Sequence, residues 1–200
     1  MDILLIGATG TIGKEIEKLG KKREHQIFSV SRQSHPSINI DEYTSLQGYF
    51  REAPAFDTII CTAGHASFGK LEDLSEKEIK TGLNSKLLGQ INLVKVAVPK
   101  LKSGGTIILT GGMLAYAPWP ATSNIATINA GLQGFVKAVN LELTDRKRVV
   151  IVHPPLVAET AQAMGMDATA LPDSATVAET YLHATRPTDQ ELTYFVPGYE

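Results

Sequence analysis

The sequence predicts a doubly wound α/β fold, in which a parallel sheet of about seven strands carries helices on both faces. Short apolar runs rich in β-branched residues alternate along the chain with longer stretches of helical periodicity. The runs are apolar at nearly every position, as expected of parallel strands that are covered on both faces. Strands that alternate with helices form one layered sheet through right-handed crossovers. A chain of 200 residues suits a single domain over residues 1–200.

The predicted strands share a short apolar sequence bounded by turn-forming residues. They are residues 2–6, 26–31, 38–40, 57–61, 106–110, 149–153 and 192–196. The predicted helices share apolar residues at spacings of three and four. They are residues 11–19, 42–50, 75–101, 126–143 and 176–184. The longest begins at Ser75, which forms a capping box with Glu78.

Composition narrows the class of protein. The 19 basic and 21 acidic residues are balanced, which argues against nucleic-acid and membrane-surface partners. The single cysteine, Cys61, excludes an internal disulfide and suggests a reducing compartment; it is either a small buried hydrophobe or a reactive thiol. No signal peptide and no apolar stretch near the roughly 18 residues of a membrane span is found. We therefore expect a cytoplasmic protein, and no metal-ligand spacing is present.

A glycine-rich turn joins the first strand to the first helix in the segment LLIGATGTIGKEI. Gly7 permits a tight turn, Gly10 lets the backbone approach a pyrophosphate, and Gly13 lets the helix pack on the strand. This position in an alternating βα chain predicts a Rossmann-type dinucleotide site; the alternative is a turn whose glycines serve packing alone. The phosphates would bind at the positive helix terminus, beside Thr9, Thr11 and Ile12.

The end of the second strand favours NADP(H) over NAD(H). NAD sites usually carry a carboxylate there, but this strand ends VSRQS, and Ser31, Arg32 and Ser34 offer donors instead. The planar fork of Arg32 suits a 2′-phosphate, although a solvated surface arginine is the alternative. Asp41 either accepts a hydrogen bond from the adenine amino group or caps the helix that follows.

With this glycine loop, CTAG after the fourth strand, the long helix and RVVIVHPP, the chain resembles the short-chain dehydrogenase/reductase family. The resemblance covers residues 1 to about 160, and the glycine spacing is similar to that of the extended and atypical branches. It implies an NAD(P)-binding Rossmann fold, a small-molecule substrate and oxidoreductase activity. It also implies that Ala63 and Gly64 contact the cofactor.

The same resemblance assigns the catalytic positions, and all four differ from the family's residues. The family's serine, tyrosine and lysine fall on Gly112, Ile125 and Asn129, and its relay asparagine falls on Lys86. Asn129 can still bond a ribose hydroxyl, but it carries no charge, and Ile125 cannot donate a proton. The chain therefore resembles a divergent subgroup that keeps the nucleotide site and lacks the usual proton donors.

Two other side chains are candidate proton donors. Lys86 faces the site, where burial would lower its pKa, and the alternative is a surface or structural lysine. Tyr116 either points into the cleft or packs as a lid. His65 is a weaker candidate, and His153 is expected to be structural. The apolar residues near the site either line a substrate pocket or cover the sheet edge; they are Met113, Leu114, Tyr116 and Trp119.

Three functions are compatible with these residues. The first is an NADP(H)-dependent oxidoreductase with a relocated proton donor, or with an acceptor such as a quinone or flavin that takes its proton from water. The second is a catalytically silent NADP(H) sensor or regulatory protein, and the third is a scaffold without nucleotide. A homodimer or homotetramer is expected, because the 126–143 helix carries more apolar surface than one sheet-facing stripe requires.

Overall fold

The protein forms a parallel sheet of six strands in the order β2-β1-β3-β4-β5-β6. In the computed structural model, which describes residues 1–186 and 190–200, every strand pairs in parallel with its neighbours. The strands are β1 (Asp2–Ile6), β2 (Gln26–Val30), β3 (Phe56–Cys61), β4 (Leu101–Thr110), β5 (Arg148–His153) and β6 (Thr193–Phe195). The prediction of a doubly wound parallel sheet is confirmed.

Helices cover both faces of this sheet. They are α1 (Thr11–Lys22), α2 (Tyr43–Glu52), α3 (Glu76–Gly82), α4 (Gly89–Ala97), α5 (Ser123–Val139), α6 (Ala158–Ala163) and α7 (Ser174–His183). Alternate residues of a strand point to opposite faces. Ile3 and Leu5 accordingly belong to a core with α1 and α7, whereas Leu4 and Ile6 belong to a second core with α2, α4 and α5. No helix within the two described ranges is long and apolar enough to span a membrane.

The strand predicted at 38–40 does not form, so the described chain has six strands and not seven. Ile38 donates its backbone N–H to the carbonyl of Ser31 at 2.9 Å, within the loop that follows β2. The side chains of Ile38 and Ile40 are nevertheless buried in the second core. The apolar pattern was therefore real, but it reflected core filling by a loop and not pairing with a strand.

The helix predicted over 75–101 is not regular. It comprises α3, a π turn over Leu83–Leu88, α4 and a short 3-10 turn over Val98–Lys100, and β4 begins directly afterwards at Leu101. The predicted capping box is confirmed, because the Ser75 N–H donates to Glu78 Oε2 at 2.9 Å and the Glu78 N–H donates to Ser75 Oγ at 3.2 Å. Apolar periodicity cannot distinguish a π turn from the α-helix around it.

The remaining boundaries shift by a few residues, and α6 was not predicted because AETAQA has no apolar period.

Most of the apolar residues of α5 pack inside the protein: Leu132 and Val136 lie in the core, and Phe135 and Val139 pack against it. Its Ala130 is exposed. The homo-oligomer therefore stays a prediction.

Substituting two glycines should have opposite effects on stability. A Cβ at Gly13 would lie 2.2 Å from the Gly7 carbonyl oxygen, so Gly13→Ala must push α1 away from β1. We expect its free energy of unfolding to fall by about 1–3 kcal/mol. Gly48→Ala, in α2, meets no atom within 4 Å and should raise that free energy by about 0.5–1 kcal/mol. Urea unfolding measures both; a Gly13→Ala variant as stable as the wild type would contradict the close packing.

Candidate active site

A cleft of about 340 Å³ lies at the carboxyl edge of β1, β2 and β3. This is the usual ligand position in an open α/β sheet, because the chain leaves the strands in opposite directions there. The cleft brings together most of the residues predicted to bind the nucleotide: Gly7, Thr9, Gly10, Ser31, Arg32, Asp41, Ala63 and Gly64. His65 also lines it, whereas Thr11, Ile12 and Gly13 form the first turn of the adjoining helix α1.

The glycine loop has the geometry that the sequence predicted. Gly7 has a φ of +93°, and a Cβ there would lie 2.7 Å from Thr62 Oγ1 and 2.8 Å from the backbone nitrogen of Ala63. Only glycine satisfies both constraints. Gly10 is the N-cap of α1 and supplies no side-chain cap. The first-turn N–H groups of the helix therefore point to the cleft without a capping side chain, as an anion site requires.

The loop after β2 leaves Arg32 available for a ligand. Arg32 is exposed, lines the cleft and forms no ion pair with any residue that the structure describes. Ser34 was predicted as a donor to the nucleotide, but the loop itself uses its hydroxyl. That oxygen accepts the Ser31 N–H at 2.8 Å and lies 2.8 Å from the Pro36 carbonyl. Ser31 remains at the cleft wall, where its hydroxyl accepts the Gln33 N–H at 3.1 Å.

Asp41 is not the helix cap. The N-cap of α2 is Glu42, and no side chain caps that terminus. Asp41 is exposed and lines the same cleft as Arg32. The contact of Asp41 with the adenine amino group stays a prediction.

Lys86 is half-buried, and its ammonium bonds a backbone carbonyl, as the alternative of a structural lysine predicts. The π turn carries it, and its Nζ donates to the carbonyl oxygen of Gly111 at 2.7 Å, at the end of β4. Its stem packs against Gly64, where a Cβ would lie 3.0 Å from Lys86 Cγ. Desolvation lowers the pKa of Lys86 to about 8.

Cys61 is fully buried nearby, and burial raises the pKa of its thiol to about 12, which makes it a core residue.

Two of the family's catalytic positions are coupled in space. A Cβ at Gly112 would lie 2.7 Å from Asn129 Nδ2, so a serine at 112 would collide with the amide of Asn129. Asn129 is 1% exposed, and its Oδ1 and Nδ2 have no hydrogen-bond partner among the described residues. Ile125, one turn earlier in α5, is half-buried.

The unpartnered amide of Asn129 fits a nucleotide ribose. Each unpaired buried polar atom costs about 1–3 kcal/mol. A pair of ribose hydroxyls offers both a donor and an acceptor, which is what Asn129 Oδ1 and Nδ2 lack. The amide is closed off from solvent. Contact of this amide with a ligand therefore requires a rearrangement that uncovers it.

His153 is structural, as expected. It is fully buried, and Gln133 Nε2 donates to Thr193 Oγ1 at 2.9 Å, which leaves Gln133 Oε1 to accept from His153 Nε2 at 2.8 Å. We assign the proton to Nε2 on this network. His153 Nδ1 then accepts the N–H of Gly112 at 3.0 Å. Desolvation lowers the pKa of His153 to about 4, so the ring is neutral at pH 7.

Tyr116 packs as an aromatic lid over this histidine. Its half-exposed ring meets His153 and Phe195 edge-on, with centroids 5.1 and 5.3 Å apart, and burial raises its pKa. Trp119 is also half-exposed in the same loop, whereas Leu114 is buried and covers the sheet edge. Lys86 bonds the carbonyl of Gly111, whereas Tyr116 packs on the ring of His153. The structure therefore does not bring the two candidate donors into contact.

Sequence reasoning missed two residues that hold the π turn. The hydroxyl of Ser85 accepts the His65 N–H at 3.1 Å, and the carboxamide of Gln90 bonds the backbone of Thr110. Both side chains are buried. The available signal was a glutamine within the otherwise apolar segment GQINLV, since a buried amide needs specific partners.

Comparison with known proteins agrees with this fold. Residues 38–170 match the family model described as short chain dehydrogenase, and the chain belongs to that family. The crystal structure of the protein lin1944 from Listeria innocua superimposes with a TM-score of 0.91 at 27% identity, covering 98% of this chain and 99% of that one. A small-chain dehydrogenase in complex with NADPH gives a TM-score of 0.86 at 27% identity, with coverage of 98% and 96%.

Curated relatives are more distant and longer. The 3-ketodihydrosphingosine reductase of Bacteroides thetaiotaomicron is 24% identical over 169 residues, which are 76% of this chain and 62% of the relative. The 3-dehydrosphinganine reductase TSC10B of Arabidopsis thaliana is 24% identical over 151 residues, 72% of this chain and 46% of the relative. The chain thus spans about half to two-thirds of the length of these relatives.

The buried neutral His153 should make the protein less stable in acid. An unfolded histidine titrates near pH 6.5 and the folded one near 4, so the unfolded state binds more protons between these values. Stability contributed by the neutral ring is complete above about pH 6.5 and is lost as the pH falls towards 4, on the order of 3 kcal/mol. Urea unfolding at pH 7 and pH 5 should show a smaller loss for His153→Gln than for the wild type.

The exposed His35 provides the control for this measurement. His35→Gln should keep the wild-type loss between pH 7 and pH 5. An equal loss in wild type and His153→Gln would show that His153 is not neutral in the folded protein.

Proposed function

We propose that the protein is an NADP(H)-dependent oxidoreductase in which Lys86, and not a tyrosine, supplies the proton. The observation that carries the proposal is the position of the Lys86 ammonium. It lies 2.7 Å from the Gly111 carbonyl oxygen, at the strand end where the family arranges its proton donors. Gly112, Ile125 and Asn129 offer no acid there. Burial lowers the pKa of the Lys86 amine towards neutral pH.

The nucleotide would be held by the cleft at the carboxyl edge. The first turn of α1 would take the pyrophosphate and Arg32 the 2′-phosphate, while Asp41 would accept from the adenine amino group. Asn129 would bond the ribose next to the nicotinamide. A similar structure, a small-chain dehydrogenase at 27% identity, is a complex with NADPH, which supports this choice of cofactor. NADPH supplies a hydride when it is bound.

The chemical role of Lys86 follows from its pKa and its anchor. A general acid works best when its pKa is near the operating pH, and burial lowers the pKa of Lys86 to about 8. One N–H of the ammonium is used by Gly111, and two N–H groups remain for a developing alkoxide or for water. Lys86 would thus hold a proton near neutral pH and release it to the acceptor.

The mouth of the site favours acceptors with an apolar body. Loop 113–122 carries no charged residue, and Tyr116 and Trp119 expose their rings there. Tyr116 is the weaker donor candidate, since its ring is committed to packing and its pKa is raised. We assign it to the apolar wall. Quinones and flavins suit this mouth and need little protonation by the protein.

The second candidate is a catalytically silent NADP(H) sensor. It is favoured by the closed position of Asn129, which leaves the ribose site incomplete until a rearrangement uncovers its amide. Such a movement on nucleotide binding is a conformational signal in itself. The two candidates differ in turnover with any acceptor.

NADPH should bind at least about tenfold more tightly than NADH. A charge-assisted contact from Arg32 to the 2′-phosphate contributes about 1.5–3 kcal/mol. Calorimetry on Arg32→Ala should show weaker NADPH binding and unchanged NADH binding. Arg51→Ala, which removes an exposed arginine of α2, should bind both nucleotides like the wild type. Equal affinities of the wild type for the two nucleotides would remove the 2′-phosphate assignment.

Lys86→Met should lower the turnover of carbonyl acceptors by about 10²–10⁴, because that is what general acid assistance contributes. NADPH oxidation measures it. In the wild type the rate should fall as the pH rises above about 8, since the ammonium loses its proton, and Lys86→Met should lack this fall. Lys77→Met removes an exposed lysine from α3 and is the matched control. Tyr116→Phe should keep most of the rate.

Each outcome points to one assignment. A carbonyl turnover that survives in Lys86→Met and is lost in Tyr116→Phe would move the donor to Tyr116. Tight NADPH binding without turnover of any carbonyl, quinone or flavin would contradict the oxidoreductase function and favour the sensor function.

A further inference from the structure

Strands β3 and β4 stop pairing before β4 ends. Their last paired residues are Ile60 and Ile108, and just beyond β3 the Thr62 N–H donates to the Ile6 carbonyl on the β1 side at 2.9 Å. Alternate residues of β4 direct their backbone N–H and C=O groups to the same side. Thr110 therefore presents both groups to the β3 side, where the carbonyl of Cys61, the last residue of β3, accepts the Thr110 hydroxyl at 2.6 Å and not its N–H.

The Gln90 carboxamide takes the place of the missing strand. Its Oε1 accepts the Thr110 N–H at 2.9 Å, and its Nε2 donates to the Thr110 carbonyl at 3.0 Å. The same Nε2 lies 3.2 Å from the backbone carbonyl of Lys86. Gln90 is fully buried, so these bonds have no competition from solvent. An amide flipped by 180° would lose all of them, which fixes the orientation of Gln90.

These bonds determine where the π turn lies. The turn is held to the end of β4 by Gln90 and to the loop after β3 by Ser85, whose hydroxyl accepts the His65 N–H. Lys86 lies between these two attachments, and its Nζ reaches the next carbonyl along β4, that of Gly111. Single π turns within α-helices occur frequently at functional sites.

We infer that Gln90 is a positioning residue for Lys86: its carboxamide holds the π turn against the end of β4, so that the Lys86 ammonium meets the Gly111 carbonyl inside the site. The inference builds on the proposed role of Lys86, but the position of the ammonium can be measured without turnover. The titratable groups near that ammonium are Cys61 on β3 and His153 on β5, and neither bonds Gln90.

The test measures the pKa of Lys86 by NMR titration of protein carrying ¹³C-labelled lysine, with Lys86→Met to assign the resonance. Gln90→Leu removes all three bonds of the carboxamide. The π turn should then move away from β4 and let water reach the amine. We expect the pKa of Lys86 to rise by about one unit or more, since desolvation is what lowers it. Where a carbonyl is reduced, the alkaline fall in rate should move upward with it.

Gln133→Leu is the matched control, because Gln133 is a second buried glutamine at the site and bonds His153 and Thr193 instead. It should leave the pKa of Lys86 at the wild-type value. If Gln90→Leu does not fold, Gln90→Asn replaces it; the shorter amide cannot bridge Thr110 and Lys86, and the same rise is expected.

An unchanged pKa of Lys86 in the folded Gln90 variant would overturn the inference, and so would an equal rise in Gln133→Leu. These results are separable from those on the proposed function. A protein without turnover whose Lys86 pKa still depends on Gln90 would retain the positioning role and lose the catalytic one.

Discussion

Backbone groups that have no strand partner at the carboxyl edge of the sheet organise the whole candidate site. Parallel strands that diverge leave N–H and C=O groups unpaired, and a buried unpaired group is costly. Different structural features satisfy these groups at neighbouring strands. The glycine turn brings Gly7 against Thr62 between β1 and β3, and the carboxamide of Gln90 pairs Thr110 beyond β3. The cleft lies beside the first of these, with Gly7 and Thr62 in its lining.

The glycine loop keeps the pattern of the family that the chain resembles, whereas the positions that the resemblance assigns to catalysis differ from it. The glycine loop retains each contact that makes glycine necessary, as the 2.2 Å approach at Gly13 illustrates. By contrast, Gly112 and Asn129, which the resemblance places at the family's serine and lysine, pack closely against each other. Gly112 provides the room that the amide of Asn129 occupies, so restoring either family residue alone would create a collision or an unfilled space. Restoring the family's residues at these two positions without a clash or a cavity would therefore require substituting Gly112 and Asn129 together.

Sequence patterns predicted the fold well where one interaction dominates. The core strands and the capping box at Ser75 are local or strongly apolar features, and both agree with the structure. The pattern failed at 38–40, where isoleucines fill the core from a loop, and at 83–88, where a π turn keeps helical periodicity. At 38–40 the apolar pattern reflected real burial, and in both segments the hydrogen-bond pattern of the backbone was not predicted.

By itself the sequence determined the parallel sheet and the glycine turn, because these depend on residue type and on spacing within about one turn or strand. The loss of the usual proton donors stays a prediction from the resemblance. Only the tertiary structure decided that Ser34 serves its own loop, that Asp41 is not a cap and that Lys86 is held inside the site. The position of Lys86 depends on contacts between residues far apart in the chain, such as Gln90 with Thr110, whereas the bonds of Ser34 to Ser31 and Pro36 are local and depend on the conformation of the loop. A hydrogen bond across 20 residues has no periodicity that a sequence can display.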